Sequence, residues 1–289
     1  MIKVITSGLY SSLQDSGRFG FRNCGVPLCG AMDLLSMATA NLLVGNEKEA
    51  TVLEFTAKGP VLEFTEAAVI AISGADFSPM IDGKKMGMNV VFAISKGSIL
   101  SFGIPSKGIR GYMAIKGGFM AEKVLGSRSF YKGVTSQSQL YKGDTLQFYK
   151  DSENSIELDS LNQMTNSTFD HEIMEVFKGP EFEFLSPQIQ NKLVNTSFSI
   201  DSQSNRMAYL LDHSESLSAK QIITAPVQPG TVQLTPGGKT IVLMRDAQTT
   251  GGYARVFQLT KKAINQLAQK RAGETIYFKI VDPLLGTPA

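Results

Sequence analysis

Hydrophobic and polar residues in this chain alternate in short runs, with turn residues between them. The segments 51–57 (TVLEFTA), 60–66 (PVLEFTE), 68–75 (AVIAISGA) and 89–95 (NVVFAIS) are rich in β-branched or aromatic residues. The same texture returns at 111–118 (GYMAIKGG), 144–150 (DTLQFYK), 240–246 (TIVLMRD) and 275–281 (TIYFKIV). Many short strands at this spacing predict a mainly β chain built of barrels or sandwiches. The first two segments carry the same Val-Leu-Glu-Phe-Thr on either side of Ala-Lys-Gly-Pro, which reads as a hairpin.

A helical period appears in two places. Residues 31–46 (AMDLLSMATANLLVGN) put Met32, Leu35, Leu42 and Leu43 on one stripe and stop at Gly45-Asn46. That helix is expected to begin near Ala31, with Asp33 in a first turn where a carboxylate suits the helix dipole. Residues 259–274 (LTKKAINQLAQKRAGE) offer Thr260 as N-cap, an apolar face at Ala263, Ile264, Leu267 and Ala268, and Gly273 as stop. Both helices are expected to plug a barrel or lie along its side.

The stretch 151–172 breaks the pattern. It is polar, acidic and poor in β-branched residues, so it reads as a linker. The expected division is a β-rich domain over 1–155, a linker over 156–172, and a β-barrel domain over 173–289.

Composition narrows the function classes. A net charge of +2, with lysines scattered singly or in pairs such as Lys84-Lys85, leaves no electrostatic footprint for nucleic acid. The first residues, MIKVITSGLY, lack the basic and apolar regions of a signal peptide, and the apolar run at 67–75 is only strand-sized. With just two cysteines in 289 residues, a soluble cytoplasmic protein with no membrane association is expected.

Chemistry-bearing residues concentrate at 12–33, SLQDSGRFGFRNCGVPLCGAMD. No Gly-Lys-Ser/Thr occurs there. The decoy at 235–240 (TPGGKT) has Gln233 where a phosphate loop needs its leading Gly, and it runs into a strand, so it reads as a glycine turn. Cys24 and Cys29 have no second pair, and the histidines are only His171 and His213, so no metal site is expected. Both cysteines read as small buried hydrophobes. No Met-Lys-Met presents a lysine for biotin.

Two further polar clusters lie in the second half. Residues 244–255 (MRDAQTTGGYAR) gather a carboxylate, an amide, two hydroxyls and a phenol around paired glycines. They could line a pocket for a small polar molecule, or form a turn whose side chains satisfy local backbone. Residues 201–209 (DSQSNRMAY) place Arg206 in a stretch of low charge, where it could be an ion-pair group or a carboxylate clamp.

These clusters, in this order, resemble the C subunit of the bacterial ATP-dependent 5-oxoprolinases. The wider group comprises allophanate-hydrolase-subunit-2-like proteins, and it includes the carboxyltransferase part of biotin-dependent urea carboxylases and an antagonist of a sporulation-kinase inhibitor. The resemblance rests on 12–33, ANLLVGN (40–46), LEFT (53–56), SGAD (73–76), GYMAIKGGF (111–119), LGSRSF (125–130), KGD (142–144), SNRMAYLL (204–211) and DAQTTGGY (246–253). The family more often has Asp-Arg-Met-Gly where Asn205-Arg206-Met207-Ala208 stands, Ser at Cys29, and Pro at Ala254. The missing carboxylate beside Arg206 argues against a dyad made by neighbours in sequence.

The resemblance implies two β-barrel-like halves with a few short helices, the second half cyclophilin-like. It implies two 5-oxoprolinase partners: the B subunit, which resembles allophanate hydrolase subunit 1, and the A subunit. The implied reaction opens the lactam of 5-oxoproline to L-glutamate with ATP hydrolysis, and this chain is expected to be inactive alone and to carry no covalent cofactor. The ATP used by the complex has no site that can be located in this chain. Alternatives are a carboxyltransferase acting on urea or a similar amide, and a non-enzymatic binding protein.

Carried onto this sequence, the resemblance points to Asp15, Asp246 and Tyr253 as catalytic residues. Gln14, Arg18, Arg206, Gln248, Thr249, Thr250, Gly251 and Gly252 are the expected substrate-binding residues. An Arg would hold the substrate carboxylate, Asp15 or Asp246 would handle protons, and the 251–252 glycines would supply backbone donors. The 12–33 stretch is expected to form one wall of a pocket completed by the 246–253 turn and a partner protein.

Overall fold

The two Val-Leu-Glu-Phe-Thr segments do not pair with each other; they enter different sheets. The computed structural model describes residues 1–149 and 171–282. All of the expected linker except its last two residues therefore lies outside the described residues. Contacts divide the chain into a first unit, Met1–Phe19 with 29–149, and a second, Gly20–Leu28 with 171–282.

The first unit holds two antiparallel sheets. One runs in the order Tyr10–Gln14, Val52–Thr56, Arg110–Ile115, Ala68–Gly74, Val91–Ile94. The other runs Phe119–Met120, Thr145–Phe148, Ile2–Thr6, Val61–Phe64, Ile99–Ser101, Met80–Ile81, Lys84–Lys85. Alternation along each strand turns one row inward, and the inward rows share one core. Leu53, Phe55, Ile72 and Met113 come from the first sheet, and Ile2, Val4, Leu62 and Phe64 from the second. Phe55 lies edge-on to Phe77, with ring centroids 4.8 Å apart. Each such side chain contributes about 1.5–3 kcal/mol on full burial.

The connection between the two copies explains why no hairpin forms. Ala57 takes φ +62, the Lys58 N–H folds back on the Thr56 carbonyl at 2.7 Å, and Pro60 has no N–H to continue a ladder. Gly59 lies flat on Phe102, where a side chain's Cβ would come within 2.6 Å of the Phe102 Cβ. The chain is thereby sent across the core to the opposite sheet.

Helix α1 (Leu34–Leu43) covers the outer face of the five-stranded sheet. Its buried side includes Met37, Ala40 and Leu43, packed on Val52, Ala71 and Ala114, while Leu35 and Leu42 face solvent. The expected stripe is therefore displaced. The helix starts three residues later than Ala31, because Asp33 is its N-cap rather than part of its first turn. The Asp33 Oδ1 accepts the Leu35 and Ser36 N–H groups at 3.1 Å each.

The second unit is a closed barrel in the order Ile173–Lys178, Ala254–Leu259, Thr231–Leu234, Thr240–Leu243, Ala208–Asp212, Phe198–Ile200, Thr275–Ile280. The last strand returns parallel to the first. Phe182, Phe257, Phe278 and Phe198 form a chain of rings 5.0–5.3 Å apart. Residues 235–240 are the expected glycine turn, with Gly238 at φ +86 closing the antiparallel pair.

Helix α2 (Pro187–Asn195), which the sequence pattern did not reveal, is capped by Ser186 and buries only Leu193. Helix α3 (Lys261–Ala268) buries the four residues expected and is capped by Thr260, whose Oγ1 accepts the Ala263 N–H. It packs on Ile173–Lys178.

Residues 20–28 belong to the second unit, although the 1–155 boundary placed them in the first. Arg22 Nη2 reaches the Thr249 carbonyl at 3.5 Å, a tie that no local pattern announces. No helix among the described residues is long and apolar enough to cross a membrane.

Candidate functional site

The expected site residues fall into two groups, one in each unit, and each group has its own geometry. In the first unit, the outer face of the five-stranded sheet changes character along its length. Beneath α1 it is apolar; beyond, register aligns Ser12, Glu54, Tyr112 and Ser73 across four strands. All four are buried, and Glu54 and Tyr112 are fully so. Glu54 Oε2 accepts the Met32 N–H at 2.7 Å, and the Tyr112 hydroxyl oxygen accepts the Asp33 N–H at 2.9 Å. Burial first, then the carboxylates of Glu54 and Asp33, push the Tyr112 phenol well above its ordinary range, against a smaller opposing pull from Arg110.

Gln14 is fully buried, and its amide nitrogen donates to Ser12 Oγ at 2.9 Å and to the Phe130 carbonyl at 3.3 Å. Asp15 is a latch. Its Oδ1 accepts from the Gly17 N–H and the Ser127 and Ser129 hydroxyls, and its Oδ2 from the Arg128 N–H. These bonds tie the end of one strand to residues 127–129. The Asp15 carbonyl accepts the Ala31 N–H at 2.9 Å. Gly30, at φ +88, allows residues 15–17 to approach so closely that a Cβ there would lie 2.9 Å from Gly17 N.

Arg18 follows on this frame. It is 0 % exposed, and Nη2 donates to the Ser129 carbonyl at 2.7 Å, but Nε and Nη1 have no acceptor among the described residues. A guanidinium is always charged, and a buried one with idle N–H groups is costly unless an anion completes it.

In the second unit, Arg206 and Asp246 form a bidentate pair, with Nε to Oδ2 at 2.8 Å and Nη2 to Oδ1 at 3.0 Å. Both side chains are almost entirely buried. The carboxylate absent beside Arg206 in sequence is thus supplied from forty residues away. This occupies the fork of an Arg expected to clamp substrate. Gln248 has a buried Oε1 with no hydrogen-bond partner among the described residues. The Thr249 carbonyl accepts from Val227 N and from Arg22, and Thr250–Gly251 pairs antiparallel with Ala225–Pro226. Gly252 offers its carbonyl to Ile222 N. Tyr253 is 37 % exposed. Gly251 is required by close packing: a Cβ there would lie 2.7 Å from Gln233 Nε2.

Sequence reasoning missed Glu54, Tyr112 and Arg22. Glu54 alternates with the core residues Leu53 and Phe55, and nothing local shows that α1 and the 31–33 segment cover the face it lies on. Cys29 is buried as expected, but Cys24 is exposed, on a short turn that buries none of its residues. Among the described residues, no group of three or more His, Cys, Asp or Glu could hold a metal ion.

A two-sheet unit followed by a closed seven-stranded barrel, with both polar clusters in place, defines a class. The family model for the carboxyltransferase domain, subdomains A and B, matches residues 24–280, and the chain belongs to that family. Among named relatives, it is 33% identical over 284 residues to the 5-oxoprolinase C subunit of Escherichia coli (strain K12), covering 96% of this chain and 90% of that protein. The solved structure of TTHA0988 superposes with a TM-score of 0.86 at 27% identity, covering 96% of this chain and 55% of that one. The urea amidolyase of K. lactis superposes with a TM-score of 0.86 at 26% identity, over 97% of this chain but 19% of that one. The chain therefore spans about half of the first solved protein and about a fifth of the second.

Proposed function

We propose that this chain is the C subunit of an ATP-dependent 5-oxoprolinase, which acts with the A and B subunits to open 5-oxoproline to L-glutamate in the cytoplasm. Near-full-length similarity to a 5-oxoprolinase C subunit supports this choice over the urea-directed alternative, whose relatives this chain matches over only a small part of their length. ATP would be handled by the complex, with the chain inactive by itself.

The observation that carries the site is Arg18, a buried cation with two donor nitrogens, Nε and Nη1, that have no acceptor among the described residues. The substrate is a carboxylate, and Arg18 is assigned to hold it. Arg206 is already paired with Asp246, so the clamp falls to Arg18. Proton handling is assigned to one of two carboxylates, Asp15 with its four donors in the first unit or Asp246 with its Arg206 pair in the second. In the second unit, Gln248 Oε1 is a buried acceptor with no hydrogen-bond partner among the described residues, suited to an N–H of a small amide, and Thr249, Thr250 and Tyr253 follow it in sequence. Gln14 and the 251–252 glycines are given supporting roles, because their polar groups or close contacts already serve the protein.

The test is reconstitution with the A and B subunits and measurement of phosphate release that depends on 5-oxoproline. Arg18→Lys keeps the charge but loses the planar donors. It should raise KM by about tenfold, the equivalent of one charge-assisted hydrogen bond. Wild-type complex that turns over urea and leaves 5-oxoproline untouched would move the chain to the carboxyltransferase reading. Binding to the B subunit with no substrate-dependent turnover would move it to the binding-protein reading.

A further inference from the structure

We infer that Glu54 and Tyr112 are positioning residues that hold the 15–18 loop in register for binding an anionic substrate; the inference rests on the reading of Arg18 above. Neither residue reaches Arg18 directly. They act on residues 31–33, the returning segment of the same loop. Glu54 Oε2 takes the Met32 N–H, and the Tyr112 hydroxyl takes the Asp33 N–H, so two consecutive amides are pinned to the sheet. One residue earlier, Ala31 N donates to the Asp15 carbonyl, and Gly30 packs against the backbone of 15–17. Asp15 in turn grips residues 127–129, whose Ser129 carbonyl is the acceptor for Arg18. The path from Glu54 to Arg18 is therefore a continuous series of short hydrogen bonds and backbone contact.

The sheet's own chemistry favours this role. An outer face that only packed a helix would be apolar throughout, as it is at Val52, Ala71 and Ala114. Instead a fully buried carboxylate and a phenol occupy adjacent register positions, and both face main-chain N–H groups of the loop. Burying such groups is costly, and the site recovers that cost only while the loop stays docked. The loop thus has one bound geometry, fixed from below, and the side chain it orients is the one with idle donors.

The experiment compares Glu54→Gln, Glu54→Ala and Tyr112→Phe in the reconstituted complex, with steady-state kinetics in 5-oxoproline. Glu54→Gln keeps a carbonyl oxygen for Met32 N and should hold KM within about threefold of wild type. Glu54→Ala and Tyr112→Phe each leave one loop amide without its acceptor, and KM should rise by about tenfold or more with kcat changed far less. Amide hydrogen exchange at Ala31, Met32 and Asp33 is read on the same samples and needs no turnover. Exchange should accelerate in the Ala and Phe variants and stay near wild type in Gln. Loss of kcat in Glu54→Gln with KM unchanged would assign Glu54 to the chemistry and overturn the positioning role. Unchanged exchange in Glu54→Ala would overturn it as well. If the wild-type complex fails to open 5-oxoproline, the exchange pattern still decides the positioning role, while the functional reading fails separately. Should Glu54→Ala not fold, Tyr112→Phe carries the same comparison.

Discussion

At 52–56 and again at 61–65 the chain runs Val-Leu-Glu-Phe-Thr, and the two copies have opposite fates. Both turn Leu and Phe into the core shared by the two sheets, because strand alternation leaves no other choice once one face is buried. They differ at the glutamate. Glu63 is half-buried on the outer face of its sheet, whereas Glu54 is fully buried and accepts the Met32 N–H. The pentapeptide dictates the strand and its inward row. What lies over the outward row, solvent or a returning loop, comes from residues elsewhere and decides whether a glutamate is ordinary surface or a buried anchor.

The largest expected effects probe what the copies share. Phe55→Ala and Phe64→Ala each remove a fully buried ring from one core, and each should cost about 3–5 kcal/mol in denaturant unfolding. Similar losses confirm that the copies contribute equally to one core. A loss below about 1 kcal/mol at either position would mean that its ring does not pack as described.

The next test separates the copies. Glu54→Ala leaves the Met32 N–H without its acceptor in a dry site and should cost about 1–3 kcal/mol, while Glu63→Ala should stay within about 0.5 kcal/mol. Equal costs at the two positions would erase that distinction.

The same contrast marks how far the sequence could be read. Strand positions followed from alternation, and α3 followed from Thr260 and its four-residue face, since both signals are local. The helix α1 stripe was misplaced because Leu35 is apolar yet lies on the solvent side, and the true start depends on Asp33 accepting two backbone amides. Helix α2 went unread because its apolar stripe is short, burying only Leu193 within the polar run 186–195. At the site, the clusters at 14–18 and 246–253 stood out by composition, but their partners did not. Asp246 meets Arg206 from a distant part of the chain, and Arg22 joins Thr249 in the second unit. Glu54 was hidden by a repeat that made it look like its half-buried twin.

The smallest effect is visible only at high pH, and it belongs to the neighbour that Glu54 alone possesses. Tyr112 stands opposite Glu54 in register, and burial together with the Glu54 and Asp33 carboxylates raises its folded-state pKa above the ordinary value of 10.0. Below about pH 10 the phenol is neutral in both folded and unfolded chains and leaves stability unchanged. As pH rises past that value, the unfolded chain releases its proton while the folded one retains it. Stability therefore falls with pH until the folded-state value is passed. Tyr112→Phe removes this group, so urea unfolding of the variant should show a shallower alkaline decline than wild type between about pH 9 and 11. Adding Glu54→Gln to the wild-type phenol removes one of the raising charges and should reduce the decline by less. Parallel profiles for wild type and Tyr112→Phe would mean that the phenol is not held neutral by its surroundings. The buried row on this face would then be a set of independent contacts rather than one coupled cluster.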